Sequence, residues 1–80
     1  MDPQAVAELI EKGLPGAQVQ VRTDGAGHYE TVVVSDAFSG ERTLKRHQLV
    51  YGTLGSLVGN ELHALNLKTL TPEEWQAKAD

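Results

Sequence analysis

The sequence predicts an α+β fold in a single domain over residues 1–80, in the order αββααβα. Three strands would form a mixed sheet with the helices on one face. Three observations carry this expectation. At 80 residues the chain has room for one core. Two segments on either side of the glycine-bearing stretch Asp24–Gly27 alternate apolar and polar residues, the period of half-buried strands. A helical stretch then leads to a third alternating segment. If the strands it joins are neighbours, that crossover makes them parallel.

Each element has its own signals. Asp2 before Pro3 reads as an N-cap with proline at the first helical position. Val6, Leu9 and Ile10 supply the apolar spacing of a helix, and Gly13 a stop. In the next segment Gln18, Gln20 and Arg22 alternate with Val19 and Val21. Asp24-Gly25 opens a turn, and His28 to Ser35 returns as the antiparallel partner. Ser35 to Arg42 reads as a loop or one helical turn; without that turn the order is αββαβα. A longer helix is expected from Glu41 to Val58, with Asn60 as its stop. Thr43, His47, Val50, Tyr51, Leu54, Leu57 and Val58 would share its inner face, with Arg42, Lys45, Arg46 and Leu49 towards the other side. Leu65 and Leu67 then alternate with Asn66 and Lys68. Thr71-Pro72-Glu73-Glu74 opens a last helix. Thr71 and Glu74 are spaced as a capping box, and Leu70 and Trp75 as a hydrophobic staple.

A net charge of −4 argues against bulk electrostatic binding to nucleic acid or anionic membrane. The chain has no cysteine, so disulfides, thiolate ligands and a cysteine nucleophile are excluded within it. The first residues lack the basic-then-apolar pattern of a signal peptide, and no apolar run is long enough to span a membrane. A soluble cytoplasmic protein, monomeric when free, is expected. Ser35, Asp36 and the scattered carboxylates form no recognisable triad or acid–base pair, so no enzyme is expected.

The chemistry-bearing residues are few. His28 begins the second strand and His63 the third. Parallel neighbours starting with these residues would bring two imidazoles to one sheet edge, suited to a borderline or soft metal. Two ligands fall short of a closed zinc site, so the pair reads as half a site completed by another molecule. The alternative is that either ring only packs or hydrogen-bonds locally. His47, on the apolar helix face, reads as structural. Arg42, Lys45 and Arg46 form the notable basic cluster, a solvated helix face or a surface for phosphate or an acidic partner. Leu49 beside them is a candidate partner contact. Gly52, Gly55 and Gly59 recur along the long helix and would allow close approach of another backbone, more plausibly within the domain than from a partner.

The stretches "FSGE", "RHQLVY", "HALNLKT" and "TPEEW", in this order between Ser35 and Trp75, resemble the BolA family. The first half matches that family in layout, and its short hairpin turn is closest to the small bacterial IbaG-type members. The resemblance implies a fold like a class II KH module. It implies a non-enzymatic adaptor that partners a monothiol glutaredoxin and shares a bridging [2Fe-2S] cluster, used in iron-sulfur assembly, transfer or iron sensing. The partner's cysteine and glutathione would supply thiolates. His63, in "HAL", and His28, in the hairpin turn, would be the metal ligands from this chain. No cofactor is expected in the isolated protein. The alternative reading is a KH-like regulator of transcription touching DNA through Arg42, Lys45, Arg46 and Lys68. Against it, Gly40-Glu41-Arg42-Thr43 lacks the second glycine of a KH loop.

Overall fold

The computed structural model describes residues 1–60, 62 and 64–79; Glu61, His63 and Asp80 lie outside the described residues. Helix α1 (Pro3–Gly13) leads into the hairpin β1 (Gln18–Thr23) and β2 (His28–Val34). Helix α2 (Thr43–Leu54), β3 (Ala64–Leu70) and α3 (Pro72–Ala79) follow. The loop after β2 contains one turn of 3-10 helix at Asp36–Phe38, which makes the order αββααβα when counted as a helix. Ser35 caps this turn, its Oγ accepting the Ala37 N–H at 3.1 Å.

The sheet order is β1-β2-β3, with β1 and β2 antiparallel and β2 and β3 parallel. The strands therefore have the expected adjacency. Among the described residues β3 begins at Ala64, which pairs with His28; the expectation that His63 begins this strand lies outside the described residues. Burial alternates along β1 and the first part of β2 and β3, and ends with Val33 and Val34 both buried and Thr69 and Leu70 both half-buried. Val19, Val21, Tyr29, Thr31, Val33, Leu65 and Leu67 face the helices. Gln18, Gln20, Arg22, His28, Glu30, Asn66 and Lys68 stay exposed on the open face. The core lies between sheet and helices, where Val6 and Ile10 of α1 meet Val33, Phe38, Val50, Leu54 and Leu67.

Both helix starts with sidechain caps behave as the residues imply. The Asp2 carboxylate accepts the Gln4 N–H at 3.0 Å. At α3, Thr71 Oγ1 accepts the Glu74 N–H at 3.1 Å, and Glu74 Oε1 accepts the Thr71 N–H at 2.9 Å, closing a capping box.

Helix α2 departs from expectation in length and in rotation. It ends at Leu54 because Gly55 takes φ +58°, a backbone state that a helix cannot continue through; a 3-10 turn, Gly55–Leu57, follows. Its inner face is also rotated. Val50 and Leu54 are buried as expected, but Thr43 is exposed, and Tyr51 and Val58 are 37% exposed. Leu49 instead packs against the core. The Arg46 side chain is only 14% exposed and lies across the Phe38 ring, 6.0 Å from its centroid. The aliphatic stem of an arginine can cover apolar surface while its charged head finds partners, so a sequence pattern that treats Arg as purely polar places this face wrongly.

The glycines expected along the long helix do not create a close backbone approach. A Cβ added at Gly52, Gly55 or Gly59 would meet nothing within 4 Å. The tight position is Gly13, where an added Cβ would come within 2.8 Å of Thr53 Cβ. The glycine at the end of α1 thus lets α1 pack against α2.

Candidate functional site

The hairpin between β1 and β2 holds His28 by its backbone as well as its ring. Gly25 and Gly27 adopt φ +84° and +90°, conformations that favour glycine. Asp24 supplies an Asx turn, its Oδ1 accepting the Ala26 N–H at 2.7 Å. Thr23 Oγ1 donates to the His28 carbonyl at 2.9 Å and accepts the Gly25 N–H at 3.1 Å. The Ala64 N–H donates to the Gly27 carbonyl at 3.2 Å, which ties the start of β3 to this turn.

The ring of His28 stands on the open side, with its side chain 64% exposed. Its Nδ1 lies 2.9 Å from Asp24 Oδ2. The Ala26 N–H first, and the His28 ring second, hold the Asp24 carboxyl below its ordinary value. Arg22, Thr23, Asp24, His28 and Glu30 together line a hollow of about 330 Å³. The Nε2 edge of the ring makes no hydrogen bond among the described residues. An exposed imidazole held at Nδ1 keeps its second ring nitrogen for a metal, which makes it a competent metal ligand.

His63, the second expected ligand, lies outside the described residues. The residue after it, Ala64, is the register partner of His28. Among the described residues, no group of three or more His, Cys, Asp or Glu is placed to hold a metal ion. His47 is half-buried and packs edge-on against Tyr51, with ring centroids 6.2 Å apart.

The basic cluster divides. Arg42 and Lys45 are exposed on α2, and Lys68 on the open sheet face. Arg46 is committed inside the fold. Its Nη1 and Nη2 donate to the two Glu74 carboxylate oxygens at 2.7 and 3.2 Å, Nε to the Glu41 carbonyl at 2.8 Å and Nη1 to the Thr69 carbonyl at 3.3 Å. The expectation that Arg46 and Leu49 form a free surface with Arg42 and Lys45 is therefore corrected: both turn inward with the rotated helix. The exposed leucine is Leu44, at 72%. The helical pattern does not single out Leu44, because it centres the outer face on Arg42, Lys45, Arg46 and Leu49. Asp24 is likewise not singled out as a partner of His28, although the i,i+4 spacing across the turn is readable.

A family model described as BolA-like protein matches residues 7–74. The chain belongs to the BolA-like family. Among curated relatives it is 45% identical to the "DNA-binding transcriptional regulator BolA" of Escherichia coli K12, over 66% of this chain and 50% of that protein, so it spans half of that relative's length. It is 32% identical to the "Acid stress protein IbaG" of the same strain, over 94% of this chain and 89% of that one. Among solved structures, a BolA homologue from Coxiella burnetii superposes with a TM-score of 0.84 at 40% identity, covering 95% of this chain and 97% of that one. The α+β architecture is thus that of BolA proteins, and the motifs between Ser35 and Trp75 fall largely within the matched region.

Proposed function

We propose that this BolA-like protein is a non-enzymatic cytoplasmic adaptor. It would partner a monothiol glutaredoxin and donate imidazole ligands from His28 and His63 to a shared [2Fe-2S] cluster, for cluster assembly, transfer or iron sensing. The observation that carries this reading is the His28 ring: exposed on the open face, fixed at Nδ1 by Asp24 and located beside the start of the parallel strand β3. The donor chemistry agrees. With no cysteine in the chain, thiolates for the cluster have to come from the partner and its glutathione, while histidine can replace cysteine on iron. The cluster, when bound, supplies the redox chemistry. The chain's own residues orient the His28 imidazole and present it at a surface the partner can reach.

The test is a mixture of this protein with a monothiol glutaredoxin, glutathione and an iron-sulfur source, followed by absorption and circular dichroism. The parent should give a mixed-ligand spectrum distinct from that of the glutaredoxin alone. His28→Ala and His63→Ala should each change it. Unchanged spectra in both variants would overturn the ligand assignment. Because a metal-bound imidazole must be free of its proton, the shared species should also weaken in acid.

A second reading, regulation by DNA binding, is favoured by the name of the BolA relative. Arg42, Lys45 and Lys68 supply exposed cations for it, whereas Arg46 is occupied by Glu74. A titration with duplex DNA at low salt decides it: no binding there removes this reading, since phosphate contacts are strongest at low salt.

A further inference from the structure

We propose that Asp24 is the positioning residue of the candidate site: it selects the Nδ1–H tautomer of His28, so that only Nε2 is available to an incoming metal. The inference rests on the reading of His28 as a ligand and names the atom that would bind. It stands on the geometry of the turn. One carboxylate serves two partners, with Oδ1 on the Ala26 N–H at 2.7 Å and Oδ2 on His28 Nδ1 at 2.9 Å. The first bond fixes the carboxylate within the Asx turn. The second leaves the ring no choice of tautomer, because an ionised carboxylate only accepts, and a neutral imidazole facing it must place its single proton on Nδ1.

The backbone carbonyl of His28 is held by two donors as well. Its carbonyl accepts from Thr23 Oγ1, at 2.9 Å, and from the Asp24 N–H, at 3.4 Å. The main chain at the ring's root and the ring itself are therefore both restrained before a partner arrives. This is the arrangement in which a ligating histidine donates its other nitrogen to a carboxylate, which sets the tautomer and raises ligand basicity. The residues that line the hollow with His28 are Arg22, Thr23 and Glu30 in addition to Asp24. Of these, only Asp24 has a hydrogen bond to the ring among the described residues.

The experiment is long-range proton–nitrogen NMR of the imidazole in the isolated protein, at a pH above the ordinary histidine value of about 6.5. The parent should show a protonated Nδ1 and a bare Nε2 at His28. Asp24→Asn keeps an oxygen for the Ala26 N–H, and asparagine suits the turn. Its amide NH₂ then faces the ring, so the proton should move to Nε2. The backbone amide spectrum checks that the variant is folded.

In the glutaredoxin mixture, Asp24→Asn should weaken the shared species about 10- to 100-fold, the usual cost of losing such a carboxylate behind a metal-binding histidine. A parent ring protonated at Nε2, or one tautomer common to parent and variant, overturns the proposal. The tautomer is read without any cluster. A failed ligand assignment, seen as unchanged spectra in His28→Ala and His63→Ala, is therefore distinguishable from failure of this inference.

Discussion

Thr31 sits at the centre of the sheet's inner face, between Val21 of β1 and Leu67 of β3 in register, and is 1% exposed. Its Oγ1 has no hydrogen-bond partner among the described residues. A buried hydroxyl without a partner bears the cost of losing water and gains nothing in return. Thr31→Val keeps the shape of the side chain and removes that cost. The variant should be more stable by about 1 kcal/mol, read as a higher urea midpoint with unchanged slope. A lower midpoint would mean that the hydroxyl has a partner in solution. Asp24 shows the opposite case at the same scale: a short polar side chain, exposed, with both oxygens occupied.

At the scale of elements, the α1–α2 contact shows how tertiary packing reverses a local preference. On helix propensity alone, Gly13→Ala should gain about 1 kcal/mol. The added Cβ would instead come within 2.8 Å of Thr53 Cβ, so the helices must move apart. We expect a net loss of about 1–3 kcal/mol, the usual range for overpacking. Thr53→Ser removes the methyl group that Gly13 faces while keeping a hydroxyl able to donate to the Val50 carbonyl, as Thr53 does at 2.6 Å. In that background Gly13→Ala should cost less. Equal costs in the two backgrounds, measured by urea unfolding, would place the strain elsewhere. The ends of α2 follow a similar lesson. Its termination at Gly55 was readable as a glycine but not as a stop, because glycine inside an apolar pattern is compatible with either.

Across the whole molecule, a side-chain polar network joins α2, β3 and α3 through Arg46. Glu74 closes the cap of α3 and receives both Nη groups of Arg46, which also reaches the Thr69 carbonyl on β3. The Arg46 guanidinium, followed by the Thr71 N–H, holds the Glu74 carboxyl below its ordinary value of 4.5. A carboxyl whose value falls on folding stabilises the fold fully above its unfolded value, and this contribution disappears as the pH drops through the lowered folded value. Glu74→Gln should therefore be less stable than the parent at neutral pH. The gap should narrow as urea titrations are carried down through pH 4.5. A gap independent of pH would show that the glutamate acts through its shape rather than its charge.

Much of this was legible in the chain itself. Strand alternation, the Asp2 and Thr71 caps and the turn at Asp24-Gly25 are local patterns, so the αββααβα order and the hairpin could be read directly. The relation of distant residues was not. Nothing within α2 reveals that Arg46 lies over Phe38 and reaches Glu74, because both partners come from other elements and arginine is apolar along its stem as well as charged at its head. The same holds for His28. The sequence by itself determined which imidazoles were available and that no thiolate was. Tertiary structure decided that β2 and β3 run side by side and that the ring stands on the open face against Asp24. The physical reason is common to both cases: local patterns are set by covalent neighbours, whereas a site is set by which elements share the core and which face they leave to solvent.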